Sequence, residues 1–109
     1  MYEYQARVIR VIDGDTIELD IDLGCHVSVR RIARLRGVNC PEISGPERDA
    51  GLAAKKYTET WIQQGECVRV NTHLDRNDKY GRLLVDVWIG PLLLNASIVQ
   101  DKHAVVKEY

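Results

Sequence analysis

Between Ile17 and Asp22 apolar and acidic residues alternate, with Ile17, Leu19 and Ile21 in one set and Glu18, Asp20 and Asp22 in the other. A period of two puts those sets on opposite faces of a strand. The preceding stretch, Tyr4 to Ile12, is rich in Val, Ile and Tyr and ends at Asp13-Gly14, so the two segments read as a hairpin or a bulged pair. Leu23-Gly24 reads as the next turn. Beyond it Val27, Val29, Arg31, Ala33 and Leu35 share one face, while Arg30, Ile32, Arg34 and Arg36 share the other. With Leu35 in the core, Arg34 points the opposite way and is free to meet a ligand.

The period then changes. Ser44-Gly45-Pro46-Glu47 has the form of a capping box, with Ser44 as N-cap, Glu47 three residues on and Pro46 tolerated in the first turn. Ala50, Ala53, Ala54, Tyr57 and Trp61 follow at helical spacing, and Gly65 suits the stop. Cys67 to Asn71 and Leu83 to Ile89 read as two further strands around a polar connection from His73 to Arg82. Leu92 to about His103 reads as a second helix entered after Gly90-Pro91. Trp61 and Trp88 are assigned to the core, and His26, His73 and His103 to surface or packing positions. Five strands with a helix between the third and fourth, then a C-terminal helix, predict an α+β fold. The expected form is a five-stranded OB-type Greek-key barrel making one domain over residues 1–109.

Composition changes this picture only locally. A chain of 109 residues buries roughly 60 to 70% of its unfolded surface, enough for one core. With 15 Lys+Arg against 16 Asp+Glu, bulk charge does not point to a nucleic-acid partner. Positive charge is concentrated at Arg30, Arg31, Arg34 and Arg36, offset by Asp13, Asp15, Glu18, Asp20 and Asp22. A bound divalent cation would reverse the sign where an anion must approach. Cys25, Cys40 and Cys67 are widely spaced without a Cys-x-x-Cys pair, which favours reduced thiols over a disulfide framework or a zinc site. No charged leader with an apolar stretch opens the chain and no long apolar run follows. The expectation is a cytoplasmic monomer without membrane contact, secretion staying open if a leader has been trimmed.

Three motifs carry candidate chemistry. Asp13-Gly14-Asp15-Thr16 reads either as a plain hairpin turn or as two carboxylates brought to one face, a set of hard oxygens suited to Ca²⁺. An EF-hand is excluded, because no third ligand or following glycine continues the spacing. In Asn39-Cys40-Pro41-Glu42, Pro41 forces Cys40 to be extended and so fixes where Glu42 points. Nothing in the pattern places a histidine beside Cys40 to make it a nucleophile. Arg34 and Arg82 each offer a planar fork that fits two phosphate oxygens, and Asp78-Lys79-Tyr80-Gly81-Arg82 is otherwise a polar turn. A cation beside an arginine clamp is what displacement at phosphorus needs, since its transition state gathers negative charge on phosphoryl oxygens.

In this order the three motifs resemble the staphylococcal nuclease (thermonuclease) family, from the strand before Asp13 to the segment after Asn95. The resemblance implies an OB-type barrel and a Ca²⁺-dependent endonuclease or exonuclease hydrolysing DNA and RNA with little sequence preference, on single-stranded or frayed substrate. It implies Asp15 as a direct metal ligand, Asp13 as an outer one, Asn39 as a side-chain ligand and Cys40 as a ligand through its carbonyl. Glu42 would orient or deprotonate the attacking water, Arg34 and Arg82 would stabilise the pentacoordinate phosphorus, and Lys79 and Tyr80 would line the nucleotide pocket. Products would carry 3′-phosphate and 5′-hydroxyl ends. Asn39 departs from the family's usual aspartate and supplies no charge. The loop after Glu42 is short, the hairpin from Thr16 to Arg34 long, and the end at Tyr109 implies that the type member's further C-terminal helix is missing or shortened. The alternative reading is a non-catalytic nuclease-like module that binds nucleic acid or protein.

Overall fold

The computed structural model describes residues 2–73 and 82–106. Five long strands form a barrel: β1 (Tyr2–Asp13), β2 (Thr16–Gly24), β3 (Val27–Leu35), β5 (Cys67–His73) and β6 (Leu83–Ile89). Short strands β4 (Val38–Asn39), β7 (Leu92–Leu93) and β8 (Val105–Val106) trim its ends, and the helices are α1 (Arg48–Trp61) and α2 (Leu94–Gln100). The sheet runs β3-β2-β1-β5-β6-β7 and closes through a parallel β3–β6 pairing of Ala33 with Leu83, Arg34 with Leu84 and Leu35 with Val85. This is the expected five-stranded OB-type barrel with two helices.

Alternation builds the core. Ile17, Leu19 and Ile21 of β2 face Ala33 and Leu35 of β3, Val70 of β5 and Val85 and Val87 of β6 inside one buried cluster. Each such side chain contributes roughly 1.5–3 kcal/mol on burial. β1 departs from strict alternation at register shifts between Val8 and Arg10 and between Val11 and Asp13. Such bulges bend a strand. At the first of them Val8 donates its N–H to the Glu66 carbonyl at 2.8 Å and accepts from the Gly65 N–H at 2.7 Å, tying the end of the α1 connection to the barrel wall.

Several local expectations are corrected. The β2–β3 turn falls on Cys25 and His26, both at positive φ (55° and 63°), and not on Leu23-Gly24. The capping box does not form, since Ser44 makes no side-chain cap bond. Gly45–Glu47 instead makes a single 3-10 turn, and the Glu47 carboxylate accepts the Glu42 N–H at 3.3 Å. The buried stripe of α1 is Gly51, Ala54 and Thr58, with Ala50 and Ala53 exposed. Helix α1 ends at Trp61, before Gly65. The second helix starts at Leu94, because Leu92–Leu93 first pairs with Trp88 and Ile89 as β7, and it ends at Gln100. Trp88 is outside the core cluster: it stacks under Arg69 at 5.5 Å and donates its indole N–H to Asn71 at 2.9 Å. Trp61 is half-buried against the core edge.

Candidate active site

The β1–β2 connection is the two-residue turn Gly14–Asp15, with Asp13 opposite Thr16. Its position is set from outside the barrel by α1. A Cβ on Gly14 would lie 2.8 Å from the Ala54 Cβ and 2.9 Å from the Cys40 sulfur, so glycine is required there by close approach. The Thr58 hydroxyl, fully buried, donates to the Gly14 carbonyl at 2.7 Å. The Leu35 N–H donates to the Asp15 carbonyl at 2.9 Å, fixing the turn to the end of β3.

Asp15 is thereby held 6% exposed, and its carboxylate is the hub of the site. Oδ1 accepts the Thr16 hydroxyl at 3.1 Å, and Oδ2 accepts Arg34 Nη2 at 3.1 Å and the Cys40 N–H at 3.0 Å. A carboxylate offers about four lone-pair positions, so Oδ1 keeps capacity for one more partner. Arg34 Nη2 also reaches Asn39 Oδ1 at 3.4 Å. Arg34 does leave the barrel on the side away from Leu35, but it is not free: its guanidinium already bridges Asp15 and Asn39. Asn39 is exposed, on β4, whose pairing with Val105 of β8 sets where its amide stands.

Asp13 and Glu42 complete the cluster. Burial, then the charge of Asp15, raises the Asp13 carboxyl above its ordinary value; Glu42 raises it further, and Lys55 and Arg34 oppose this. Three carboxylates therefore face two cations in one electrostatic neighbourhood. The Glu42 carboxylate is exposed, while its backbone is pinned: a Cβ on Gly51 would collide with the Glu42 carbonyl, so only glycine lets α1 pack there. The Cys40 thiol is pushed up to about 12, first by burial and then by Asp15 and Asp13, with Arg34 opposing. It stays protonated at neutral pH, which excludes a thiolate nucleophile. On the far side of Asn39 and Cys40 a depression of about 190 Å³ is lined by Pro41, Glu47 and Lys102 to Val105.

Arg82 stands one residue ahead of Leu83, whose parallel pairing with Ala33 brings the start of β6 beside the Arg34 strand. Lys79 and Tyr80 lie outside the described residues. Of the expected set, Asp13, Asp15, Arg34, Asn39, Cys40 and Glu42 come together, while Arg82 is placed only by its position just before β6, which pairs with β3. Sequence reasoning included Thr16 in its motif without giving it a role, and missed Lys55, Thr58 and Gly51. A signal existed for two of them, since a Thr and a Gly at helical spacing from Ala54 mark a face too crowded for larger residues.

Among the described residues no three His, Cys, Asp or Glu side chains gather as a metal-binding group. A cation here would need the Asn39 amide and the Cys40 carbonyl beside Asp15 and Asp13. All these donors are hard oxygens, and the surplus of negative charge around Asp13 fits a hard divalent ion. No helix among the described residues is long and apolar enough to cross a membrane.

A closed OB-type barrel with an acid and arginine cluster at the β1–β2 turn defines the class, and comparison with known proteins assigns the family. Residues 32–109 match the model described as staphylococcal nuclease homologue, and the chain belongs to that family. It is 34% identical over 110 residues to the thermonuclease of Staphylococcus hyicus, covering 98% of this chain and 62% of that protein. It is 37% identical over 105 residues to the thermonuclease of Staphylococcus intermedius, covering 94% and 59%. With Endonuclease YhcR of Bacillus subtilis (strain 168) it shares 33% over 93 residues, which is 78% of this chain and 7% of that protein. The chain thus spans about three fifths of the length of the two thermonucleases.

Proposed function

We propose that the chain is a metal-assisted phosphodiesterase that hydrolyses DNA and RNA with little sequence preference. The observation that carries this reading is the convergence of Asp15, Arg34 and Asn39 in one hydrogen-bonded cluster, with Asp13 and Glu42 in electrostatic reach. A guanidinium beside surplus carboxylates suits binding of a phosphodiester together with a cation, and family membership supplies a matching chemistry. Asp15, the Asn39 amide, the Cys40 carbonyl and Asp13 would hold Ca²⁺. When bound, the ion supplies positive charge opposite the phosphoryl oxygens.

The remaining steps belong to the chain's own side chains. Glu42, exposed and uncrowded, takes a proton from water as its oxygen attacks phosphorus. The bond from phosphorus to the 5′ oxygen breaks on the opposite side, leaving a 3′-phosphate and a 5′-hydroxyl. Arg34 turns from the Asn39 amide toward a phosphoryl oxygen, and Arg82 grips a second and assists the leaving oxygen. Asn39 favours one other reading, a module that binds nucleic acid or protein without cutting, because a neutral amide weakens the hold on a cation.

A fluorescence-quench assay on single-stranded DNA with Ca²⁺, Mg²⁺ or chelator separates the two. Cleavage is expected with Ca²⁺ and lost with chelator. Glu42→Gln should lower turnover by roughly 10²-fold while leaving strand binding intact. Binding without cleavage under every ion condition would establish the module instead.

A further inference from the structure

The outer face of β3 continues past Arg34. Arg30, Ile32 and Arg34 share it, set against Asp20, Glu18 and Thr16 of β2. The β2 acids are occupied from the other side: Glu18 binds Arg10 at 2.9 Å and Asp20 binds Arg7 at 3.3 Å. Arg30 is exposed and has no ion pair among the described residues, although it stands opposite Asp20. Ile32, between the two arginines, is 37% exposed. The ladder to β6 begins only at Ala33, so no strand among the described residues lies along the outer edge of Val27 to Ile32.

We propose that Arg30 and Ile32 extend the phosphodiester site along β3, so that its partner is a nucleic-acid strand several nucleotides long and not an isolated nucleotide. The proposal rests on the phosphodiester reading of the Arg34 site. Arg30 and Arg34 stand four residue steps apart, about 13 Å at the usual rise of a strand, which carries the track beyond a single nucleotide. Arg30, with no ion pair among the described residues, and Arg34, turning from the Asn39 amide while still held by Asp15, meet the phosphates at the two ends, and the apolar Ile32 meets a sugar or base between them, the combination of charged groove and apolar contact that single strands require. A second copy of this chain is the poorer occupant of the same edge. Antiparallel pairing of two such edges would bring Arg30 and Arg31 of both copies into one short ladder, directly opposite in one register and diagonal in the next, and like charges so placed destabilise a sheet.

The test compares Arg30→Ala and Arg30→Lys for binding to a labelled single strand of about 20 nucleotides and to a dinucleotide, both in a Glu42→Gln background that slows cleavage and with chelator present. Arg30→Ala should weaken the long strand about fivefold and flatten its salt dependence by about 0.7 in log–log slope. Arg30→Lys should recover most of this loss, and the dinucleotide should respond far less. Equal effects on both lengths, or none, would overturn the proposal. So would a concentration-dependent dimer that Arg30→Ala strengthens and that excludes the strand. The hydrolytic reading is scored separately, with Glu42 intact: if that protein cuts nothing, the reading fails, yet a length-dependent loss on Arg30→Ala still establishes the track. If it cuts and Arg30→Ala leaves long-strand binding unchanged, only the track fails.

Discussion

The end of β3 supplies an arginine to each of two carboxylates, and the two clusters have different consequences. Arg34 meets Asp15 at 3.1 Å with side chains 13% and 9% exposed. Arg36 meets Asp86 at 3.3 Å with side chains 48% and 15% exposed. Each carboxylate has a further partner, the Cys40 N–H for Asp15 and the His73 ring for Asp86 at 3.0 Å. The first pair is surrounded by surplus acid, with Asp13 raised by Asp15 and Glu42 nearby. The second satisfies itself at the surface. An ion pair alone therefore does not mark a site; in the proposed reading the distinguishing feature is unneutralised hard oxygens beside a sheltered guanidinium.

The largest expected difference is in stability. Asp15→Ala leaves Arg34 sheltered without its partner and removes the acceptor of the Cys40 N–H, so unfolding free energy should fall by about 3–5 kcal/mol. Asp86→Ala unpairs a half-exposed Arg36 and should cost at most about 1 kcal/mol after solvent screening. Urea denaturation of both variants checks this. Equal losses would erase the distinction between the clusters.

Next in size is the effect of restoring charge at Asn39. Asn39→Asp changes almost no volume and adds a carboxylate where the amide now accepts from Arg34. The Ca²⁺ concentration giving half-maximal cleavage should fall about fivefold, the equivalent of ~1 kcal/mol from a charge-assisted contact. A calcium titration of both proteins reads it directly. An unchanged midpoint would remove Asn39 from the cation's surroundings.

The smallest effect is on pH dependence. Burial and the charge of Asp15 raise the folded-state carboxyl of Asp13 above 3.8. The folded protein thus holds this proton more tightly than the unfolded chain, and Asp13 costs stability increasingly as pH rises through that window. Asp13→Asn should be slightly more stable than the parent at neutral pH, with the gain vanishing at pH values below the ordinary carboxylate range. Chemical denaturation at acidic and neutral pH, without divalent ions, measures the difference. A gain of the same size at both pH values would assign it to something other than this charge.

Much of the barrel was legible because its strands obey one rule: Ile17, Leu19 and Ile21 are fully buried where the alternation placed them. The pairing of Arg34 with Asp15 was less legible. Sequence period gave the direction of Arg34, but its occupation by Asp15 and Asn39 depends on the β1–β2 turn being pressed inward by Ala54 and Thr58. The misplaced features share a cause. The Ser44 box, the Ala50 and Ala53 stripe and a helix starting at Leu92 are local preferences overridden by tertiary contacts: Glu47 turns to the Glu42 N–H, Gly51 packs on Glu42, and Leu92–Leu93 completes a sheet edge. Trp88 was drawn toward the core by its Val and Leu neighbours, whereas register sets it on the outer face, over which Arg69 and Asn71 close.

The claim that the Arg34 cluster is a site and the Arg36 cluster is not is tested most directly by replacing each arginine with lysine and measuring cleavage of labelled single-stranded DNA side by side. Lysine keeps the charge but loses the planar fork. Arg34→Lys should lower turnover by roughly 10²-fold, while Arg36→Lys should stay within about twofold of the parent. Comparable losses in both variants, or a loss confined to Arg36→Lys, would contradict the account.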